Sequence, residues 1–512
     1  MLPGPVTTVV TKARLRRDEL GGVLALRRGL VVEAAGEEDG TFTAVDGPVT
    51  GYRRHVIVHD DAASPDEVDV EQTVDYDLAI PLFGLLFALP YKRVLARLGH
   101  PGGSPWWAPP EALNPRAAAM LAALCALTGV AVYPGVLMTQ TIEFAREELG
   151  FSKQAQSIAL AALRADVLIA FGLVVLADRK GRRITTLWSI AIGAGLTCLG
   201  GLAPNLWILT GTQVVARGCL TGAGILIGIM AAEEMPAGCR AYAVSLLAVS
   251  GALGAGPALF LFPLADFGQR GWRLLFLFAG PLVLLVFRFG RHLPESRRFR
   301  SPHAEVQMRG HGRRFWLLGI SAFLFAVFLA PASQYQNVFL RRERGFSAAR
   351  ISLFTVATNV WGGLGIVAGG RIADVRGRRA VAAVGIVGGV GATVVMFFAT
   401  GWAIWAWSVV GAIVGAATVP ALGVYGPELF PTSVRGRANG IISALGRVGS
   451  VVGLLFVALV VGTRDRLAPI LALLAIGPAI LAVLVLVAYP ETAHLELEEL
   501  NPEDAPPLPS EP

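Results

Sequence analysis

Charge is scarce in this chain. Only 16% of its 512 residues are Asp, Glu, Lys or Arg, against 54% hydrophobic, and the mean hydropathy is +0.59. A soluble protein of this length needs far more charge to cover its surface. Lysine stands only at positions 12, 92, 153 and 180, so nearly all positive charge is arginine, as in proteins from genomes rich in G and C. The four cysteines (Cys125, Cys198, Cys219, Cys239) lie in or beside apolar runs, without metal-ligand spacing or a disulfide framework, so no metal or cofactor is expected. No His, Cys or Ser constellation suggests an enzyme. Nothing matches G-x-x-x-x-G-K-[ST], which argues against ATP drive. The N-terminus has no apolar core, so no cleaved signal peptide is expected.

What the chain does have is long apolar runs. They cover approximately 117–139, 155–177, 184–203, 206–231, 241–264, 272–290, 316–338, 350–370, 380–400, 402–424, 438–462 and 467–489. Each is long enough to cross ~30 Å of hydrocarbon as a helix. Sixty glycines suit a membrane bundle, in which they let backbones approach closely. The formal charge of +7 and pI near 9.5 could point to nucleic acid, but the arginines sit in short loops between apolar runs, the positive-inside pattern of a membrane protein. The loop after the seventh run (Arg341, Arg342, Arg344, Arg350) breaks that pattern.

The expected fold is therefore an all-α membrane protein of twelve spanning helices, six and six, preceded by a small β-rich α+β domain. The domain is expected over residues 1–76, from short stretches at Val6–Val10, Val23–Val32, Thr41–Val45, His55–Val58 and Val68–Asp77. An amphipathic helix is expected at Asp77–Arg97, at the membrane interface or on the sheet, followed by a Pro/Trp linker to residue 115. Strands followed by one long helix resemble the second half of a START-like, helix-grip domain. Six-helix bundles are expected over 116–290 and 315–489, with a basic loop at 291–314 between them and a disordered acidic, Pro-rich tail at 490–512.

The two halves repeat. Asp178, Gly181, Arg182 and Arg183 recur 196 positions on at Asp374, Gly377, Arg378 and Arg379. Glu233, Pro236 and Arg240 recur 195 positions on at Glu428, Pro431 and Arg435, and Pro294 and Glu295 recur at Pro490 and Glu491. Internal repeats of this kind are how many transporters are built. Each motif follows an even-numbered run, so all of them fall on one membrane face.

These residues carry a resemblance to the major facilitator superfamily over about residues 116–500. LADRKGRR (176–183) and GGRIADVRGRR (369–379) are similar to its signature loops, while PESRRF (294–299), PELFPTSVRGRANG (427–440) and PETAHLELEE (490–499) resemble the sugar-porter or metabolite–proton symporter branch. The resemblance implies that Asp178, Arg182, Arg183, Glu233 and Arg240 form one cytoplasmic charge lock, and Asp374, Arg378, Arg379, Glu428 and Arg435 its twin. The alternative is that these are only positive-inside anchors. The chain also departs from family patterns. Phe260 and Leu261 replace the paired glycines of the drug-antiporter motif, and the seventh run offers Gln334, Tyr335, Gln336 and Asn337 in place of a glutamine-rich sugar pattern.

Four ionisable residues lie inside apolar runs: Arg164, Asp166, Arg217 and Arg447. Each costs at least ~2.5–3.5 kcal/mol on insertion scales, so each is a candidate functional residue. Asp166 and Arg447 lie twelve residues from Asp178 and Arg435, at about 18 Å of helix rise, and are expected to pair. Asp166 is then either a protonatable switch or half of a permanent structural pair. Arg217 suits a substrate carboxylate, or alternatively backbone carbonyls of the first helix. Gln140, Gln334 and Asn337 are further candidate substrate contacts. Three positive charges facing one negative favour an organic anion over a sugar-like metabolite.

The expected function is secondary active transport of a small organic solute by alternating access, with the proton as coupling ion. A multidrug efflux antiporter or a transporter-like membrane sensor are the alternatives. The expected partners are a small molecule and the lipid bilayer, not nucleic acid, and the expected state is a monomer in the plasma (cell inner) membrane with both termini cytoplasmic.

Overall fold

The computed structural model describes residues 7–60, 66–98, 104–300, 308–461 and 467–504. The chain divides into two compact units, Met1–Ala126 with Arg291–Leu293, and Leu127–Gly290 with Pro294–Pro512.

The first unit is built on strands β1 (Thr7–Arg16), β2 (Val32–Ala35), β3 (Thr41–Asp46), β4 (Val49–Asp60) and β5 (Glu67–Leu78), an antiparallel sheet in the order β1-β5-β4-β3-β2. β5 shows why these segments are strands: Val68, Val70, Gln72, Val74 and Tyr76 alternate into the core while their neighbours face outward. A strand was expected at Val23–Val32. Instead Val23 lies in a short helix α1 (Leu20–Leu24), and the strand starts only at Val32, with Arg28 contributing one isolated bridge. The intervening backbone bonds to a side chain: the carbonyls of Val23 and Ala25 accept from Arg54 at 2.8 and 3.1 Å. The helix expected from Asp77 begins later, as α2 (Gly84–Leu95), because Asp77 and Leu78 complete β5 and Leu82 turns the chain at φ 72°. Leu95 packs beside Val9, Val49, Tyr52, Val74 and Tyr76.

The sheet encloses a buried ion pair. Arg54 donates from Nε and Nη2 to Glu33 at 2.9 and 2.7 Å, Tyr52 donates its hydroxyl to Glu33 at 2.6 Å, and the Arg27 backbone N–H adds a fourth bond at 3.0 Å. Burial pushes the Tyr52 hydroxyl well above its ordinary range and lowers Arg27, so Tyr52 remains a donor.

Helix α3 (Pro115–Leu149) belongs to both units; Asn114 caps it by accepting the Ala117 N–H at 2.8 Å. The first half continues with α4 (Lys153–Ala162), α5 (Asp166–Lys180), α6 (Arg182–Gly200), α7 (Leu206–Glu234), α8 (Arg240–Leu261), α9 (Gly271–Leu277) and α10 (Ala279–Gly290). A short α11 (Arg297–Arg300) lies within the basic loop. The second half has α12 (Gly312–Arg342), α13 (Ala348–Asn359), α14 (Gly362–Arg376), α15 (Arg378–Phe398), α16 (Ala403–Ala416), α17 (Thr418–Gly423), α18 (Tyr425–Glu428), α19 (Arg435–Val461), α20 (Leu467–Leu474) and α21 (Ile476–Ala488), then α22 (Leu497–Leu500). Each of the twelve apolar runs is helical. Among the described residues eleven paths are long and apolar enough to span a membrane. The twelfth is α6, nineteen residues long, whose Arg182, Arg183 and interspersed Thr, Ser and Gly dilute its hydropathy.

The halves pack alike. Gly254 on α8 is so close to α3 that a Cβ would strike the Gly129 carbonyl, and Gly449 on α19 meets the Phe323 carbonyl of α12 in the same way. Tyr133, Leu275 and Phe276 in one core match Phe328, Ile470 and Leu471 in the other. Across the halves, α5 packs on α19 and α14 on α8.

The first and seventh helices run past their predicted ends at 139 and 338. Both extensions carry a tethering carboxylate. Glu148 accepts from Trp272 Nε1 and Arg273 Nε, each at 2.8 Å, while Glu343 accepts the Leu467 N–H at 3.0 Å. The arginines after α12 that break the charge pattern lie on aromatic rings, Arg344 4.8 Å from Phe339 and Arg350 4.1 Å from Phe346. The tail is not disordered at its start: Pro490 to Asp504 is ordered, with α22 held by a Glu496–Glu499 capping box and Leu497 and Leu500 buried. Residues 505–512 of the predicted tail and 301–307 of the predicted loop lie outside the described residues.

Deleting one partner of the fully buried Glu33–Arg54 pair leaves an uncompensated charge, a loss of about 3–5 kcal/mol. Glu33→Ala should therefore collapse hydrogen-exchange protection in β4 and β5, whereas exposed Thr43→Ala should shift stability by no more than about 0.5 kcal/mol.

Candidate functional site

The repeated Gly-Arg-Arg motifs are tight helix-to-helix junctions. Gly181 and Gly377 adopt φ 107° and 102°, a region that favours glycine, and so turn α5 into α6 and α14 into α15. Each turn exposes the N-terminus of the following helix, and a carboxylate covers it. Glu295 accepts the N–H groups of Arg182 and Arg183 at 3.2 and 3.1 Å, and Glu491 those of Arg378 and Arg379 at 2.9 and 3.3 Å. A Cβ at either glycine would meet that carboxylate at 2.8 Å, so the Pro-Glu motifs and the Gly-Arg-Arg motifs fit one another.

Two buried arginine–carboxylate clusters stand on these junctions. In the first, Glu233 pairs with both Arg182 and Arg435, and Arg182 lies 3.8 Å from Asp178. In the second, Glu428 pairs with Arg378 and with Arg240 at 3.3 Å, and Arg378 lies 3.1 Å from Asp374. All four arginines are fully buried. Each cluster crosses between the halves, since Arg435 comes from the second half to Glu233 and Arg240 from the first half to Glu428. Asp374 also accepts the N–H groups of Ala241 and Tyr242 at 3.2 and 2.8 Å, at the start of α8. Asp178 occupies the matching place against Gly436 at the start of α19. Arg183 and Arg379 instead hold backbone carbonyls, at Gly290 and at Val485 and Leu486.

The tail joins both clusters, which its acidic, Pro-rich composition did not signal. Asp504 accepts from Arg435 at 3.2 Å and from the Thr432 hydroxyl at 2.9 Å, and Glu496 accepts from Arg240 at 3.0 Å. Asn501 donates to the Glu428 carbonyl at 2.7 Å and accepts from Arg314 at 3.1 Å. Ser296 and Thr492 are a further matched pair, bonded to Glu233 and Arg378 at 2.7 and 2.8 Å.

Deeper in the bundle, Asp166 is fully buried at the first turn of α5. Its Oδ2 lies 3.3 Å from Arg447 and 3.9 Å from Arg217, and accepts from the Thr221 hydroxyl at 3.3 Å. Its Oδ1 has no hydrogen-bond partner among the described residues. Arg217 also donates to the Gly135 carbonyl at 3.2 Å, so it holds the backbone of α3 and faces the carboxylate at once. Arg164 lies half-buried in the turn ahead of α5 and close enough to act electrostatically on Arg217. One carboxylate thus faces two arginines, with a third, Arg164, near Arg217.

A cavity of about 450 Å³ opens between α7, α12, α17 and α19, next to this group along both flanking helices. Gly224 in its wall is one turn past Thr221, and Gly446 adjoins Arg447. Its lining is mostly apolar, with Ser321, Thr418, Asn439, Ser443 and Tyr489 as polar points, a composition suited to a small organic molecule. These residues are not among the candidates named from the sequence. Their signal was the i, i+4 spacing of Asn439 and Ser443 just ahead of Arg447. Gln140, Gln334 and Asn337 do not line this cavity; all three are exposed, and Gln140 is five residues beyond Gly135 on α3, about 7.5 Å along the helix. No group of three or more His, Cys, Asp or Glu residues among those described could hold a metal ion.

Known proteins share this architecture. The chain is 29% identical over 314 residues to a protein of Haemophilus influenzae named for metabolite transport, an alignment covering 56% of this chain and 76% of that one. It is 25% identical over 300 residues to the gentisate transporter of Corynebacterium glutamicum, covering 54% and 66%. The proton:xylose symporter XylE, solved with 6-bromo-6-deoxy-D-glucose, superposes with a TM-score of 0.63 at 18% identity, over 75% of this chain and 98% of that one. The profile of the Major Facilitator Superfamily matches residues 119–366 and 333–510. With twelve helical runs in two repeats, matched charge clusters and that profile, the chain belongs to the Major Facilitator Superfamily and is a multi-pass membrane transporter.

Proposed function

We propose that this transporter moves a small organic anion, one bearing a carboxylate, by proton-coupled alternating access. The observation that carries the reading is the excess of positive charge beside the cavity, with Arg217 and Arg447 on the single carboxylate of Asp166 and Arg164 close to Arg217. Buried charge seeks compensation, and a planar guanidinium binds a carboxylate through two parallel hydrogen bonds. A relative named for gentisate, itself a carboxylate, supports the substrate class.

In this reading Asp166 and the substrate compete for the same arginines. Protonation of Asp166 frees Arg447 and Arg217 to hold an incoming anion, and loss of the proton returns both to Asp166 and favours release. Thr221 gives the carboxyl group a hydrogen-bond neighbour on Oδ2, and the unpartnered Oδ1 is open to take the proton. The arginine clusters serve as the gate. While they are joined across the halves the charged face is closed, and opening it requires Glu233 and Glu428 to release Arg435 and Arg240. Arginine-rich loops on that face support a cytoplasmic position, at the cell membrane, for it, the N-terminal sheet domain and the tail.

A ligand at 100 times its Kd stabilises a protein by about 2.7 kcal/mol. Thermal unfolding of the purified protein should therefore shift upward with an aromatic or sugar carboxylate but not with the matching neutral amide or a lipophilic cation. Arg217→Gln should abolish that shift. Stabilisation by neutral sugars or cations alone would overturn the anion reading. In proteoliposomes with the proton gradient varied, Asp166→Asn should retain counterflow exchange but lose gradient-driven accumulation. Undiminished pH-dependent accumulation in Asp166→Asn would make the Asp166–Arg447 pair structural only.

A further inference from the structure

Helix α2 is partnered on one face only. Its inner face carries Tyr91 and Leu95, both buried, and Phe87, which packs with Tyr91 and Trp107 at ring-centroid distances of 6.3 and 6.4 Å. The opposite face is apolar and open. Leu85 is 96% exposed and Leu86 69%, with Leu82 and Leu89 also exposed. Leu85, Leu86 and Leu89, at i, i+1 and i+4, share one face of the helix, and Leu82 stands in the turn just ahead of it. Leu82 adopts φ 72° there, a backbone region that branched side chains avoid. A soluble surface rarely presents such a leucine stripe without something to cover it.

We infer that this stripe lies in the anionic headgroup layer of the same bilayer that the chain spans, anchoring the sheet domain to the membrane surface. Three observations select a lipid surface as the occupant. The first is charge: Lys92, Arg93 and Arg97 are exposed on the next turns, and no acidic residue stands between Pro81 and Arg97, the pattern of a helix that binds anionic lipid. The second is tether length. Trp107 packs on Tyr91 at 5.6 Å, and α3 begins at Pro115, eight residues on, so this packed residue lies within about 29 Å of the start of the first spanning helix. The third is Trp106, 69% exposed beside this packed pair, a residue type suited to the boundary between headgroups and acyl chains. The sheet domain thereby gains a fixed level at the membrane, with its buried Glu33–Arg54 core carried above the lipid.

The test uses the full-length protein with its four cysteines replaced by alanine, in nanodiscs containing anionic lipid. A single environment-sensitive fluorophore is attached at Leu86→Cys, or at Val45→Cys on exposed β3 as a control. Lipids carrying a nitroxide high on the acyl chain should quench the Leu86→Cys label at least threefold more than the Val45→Cys label, and aqueous iodide should do the reverse. Lys92→Glu with Arg93→Glu should reduce the lipid quenching. Equal iodide quenching at both sites would place the stripe in water and overturn the inference. A Leu86→Cys label shielded from both quenchers would mean that protein covers the face, which overturns it as well.

Discussion

A buried arginine needs a carboxylate, and the rest of the membrane domain is arranged around that requirement. Arg182, Arg240, Arg378 and Arg435 are all fully buried at one end of the helices. Two glutamates, Glu233 and Glu428, each serve one arginine from each half. Removing either glutamate takes a partner from two arginines at once, leaving Arg182 and Arg435 only Asp178 and Asp504, or Arg378 and Arg240 only Asp374 and Glu496. The same constraint explains the neighbouring features. The glycine junctions bring the arginines to the helix ends, Glu295 and Glu491 neutralise the exposed helix starts, and the tail supplies Glu496 and Asp504 for charge that remains. Such clusters have two workable arrangements, joined or separated by water, and intermediate states leave charges unpaired. That property suits the proposed gate rather than a hinge.

Much of this was legible in the sequence because the repeat wrote it twice. Asp178, Arg182 and Glu233 in one half and Asp374, Arg378 and Glu428 in the other fall at nearly one offset, and charged residues are rare enough in apolar surroundings that the coincidence stands out. The depth of Asp166 and Arg447 followed from helical rise alone, because Asp166 and Asp178 share α5 while Arg435 and Arg447 share α19. The sheet domain was legible where its strands alternate, as in β5.

The rest was hidden for identifiable reasons. The tail has the acidic, Pro-rich composition of disordered segments, and only the positions of Arg435, Arg240 and Arg314 in space show what holds it. Val23–Val32 has strand-like composition, but Arg54 takes its carbonyls, a long-range bond that no local pattern encodes. Ser321, Asn439 and Ser443 carry no charge to mark them, and hydroxyl and amide groups are ordinary glue between membrane helices. The Glu33–Arg54 pair joins residues 21 positions apart, with nothing in the intervening sequence to connect them.

The central claim is that the two cross-half clusters hold the charged face closed. Its most direct test is a spin–spin distance measurement between labels at Arg179→Cys and Arg376→Cys, exposed positions beside the two glycine junctions, in the cysteine-free protein in lipid. The wild-type clusters should give a single narrow distribution, and Glu233→Gln with Glu428→Gln should add a population at longer distance. An unchanged distribution in the double variant would mean that the clusters do not hold the face shut, and the account of the gate would fail.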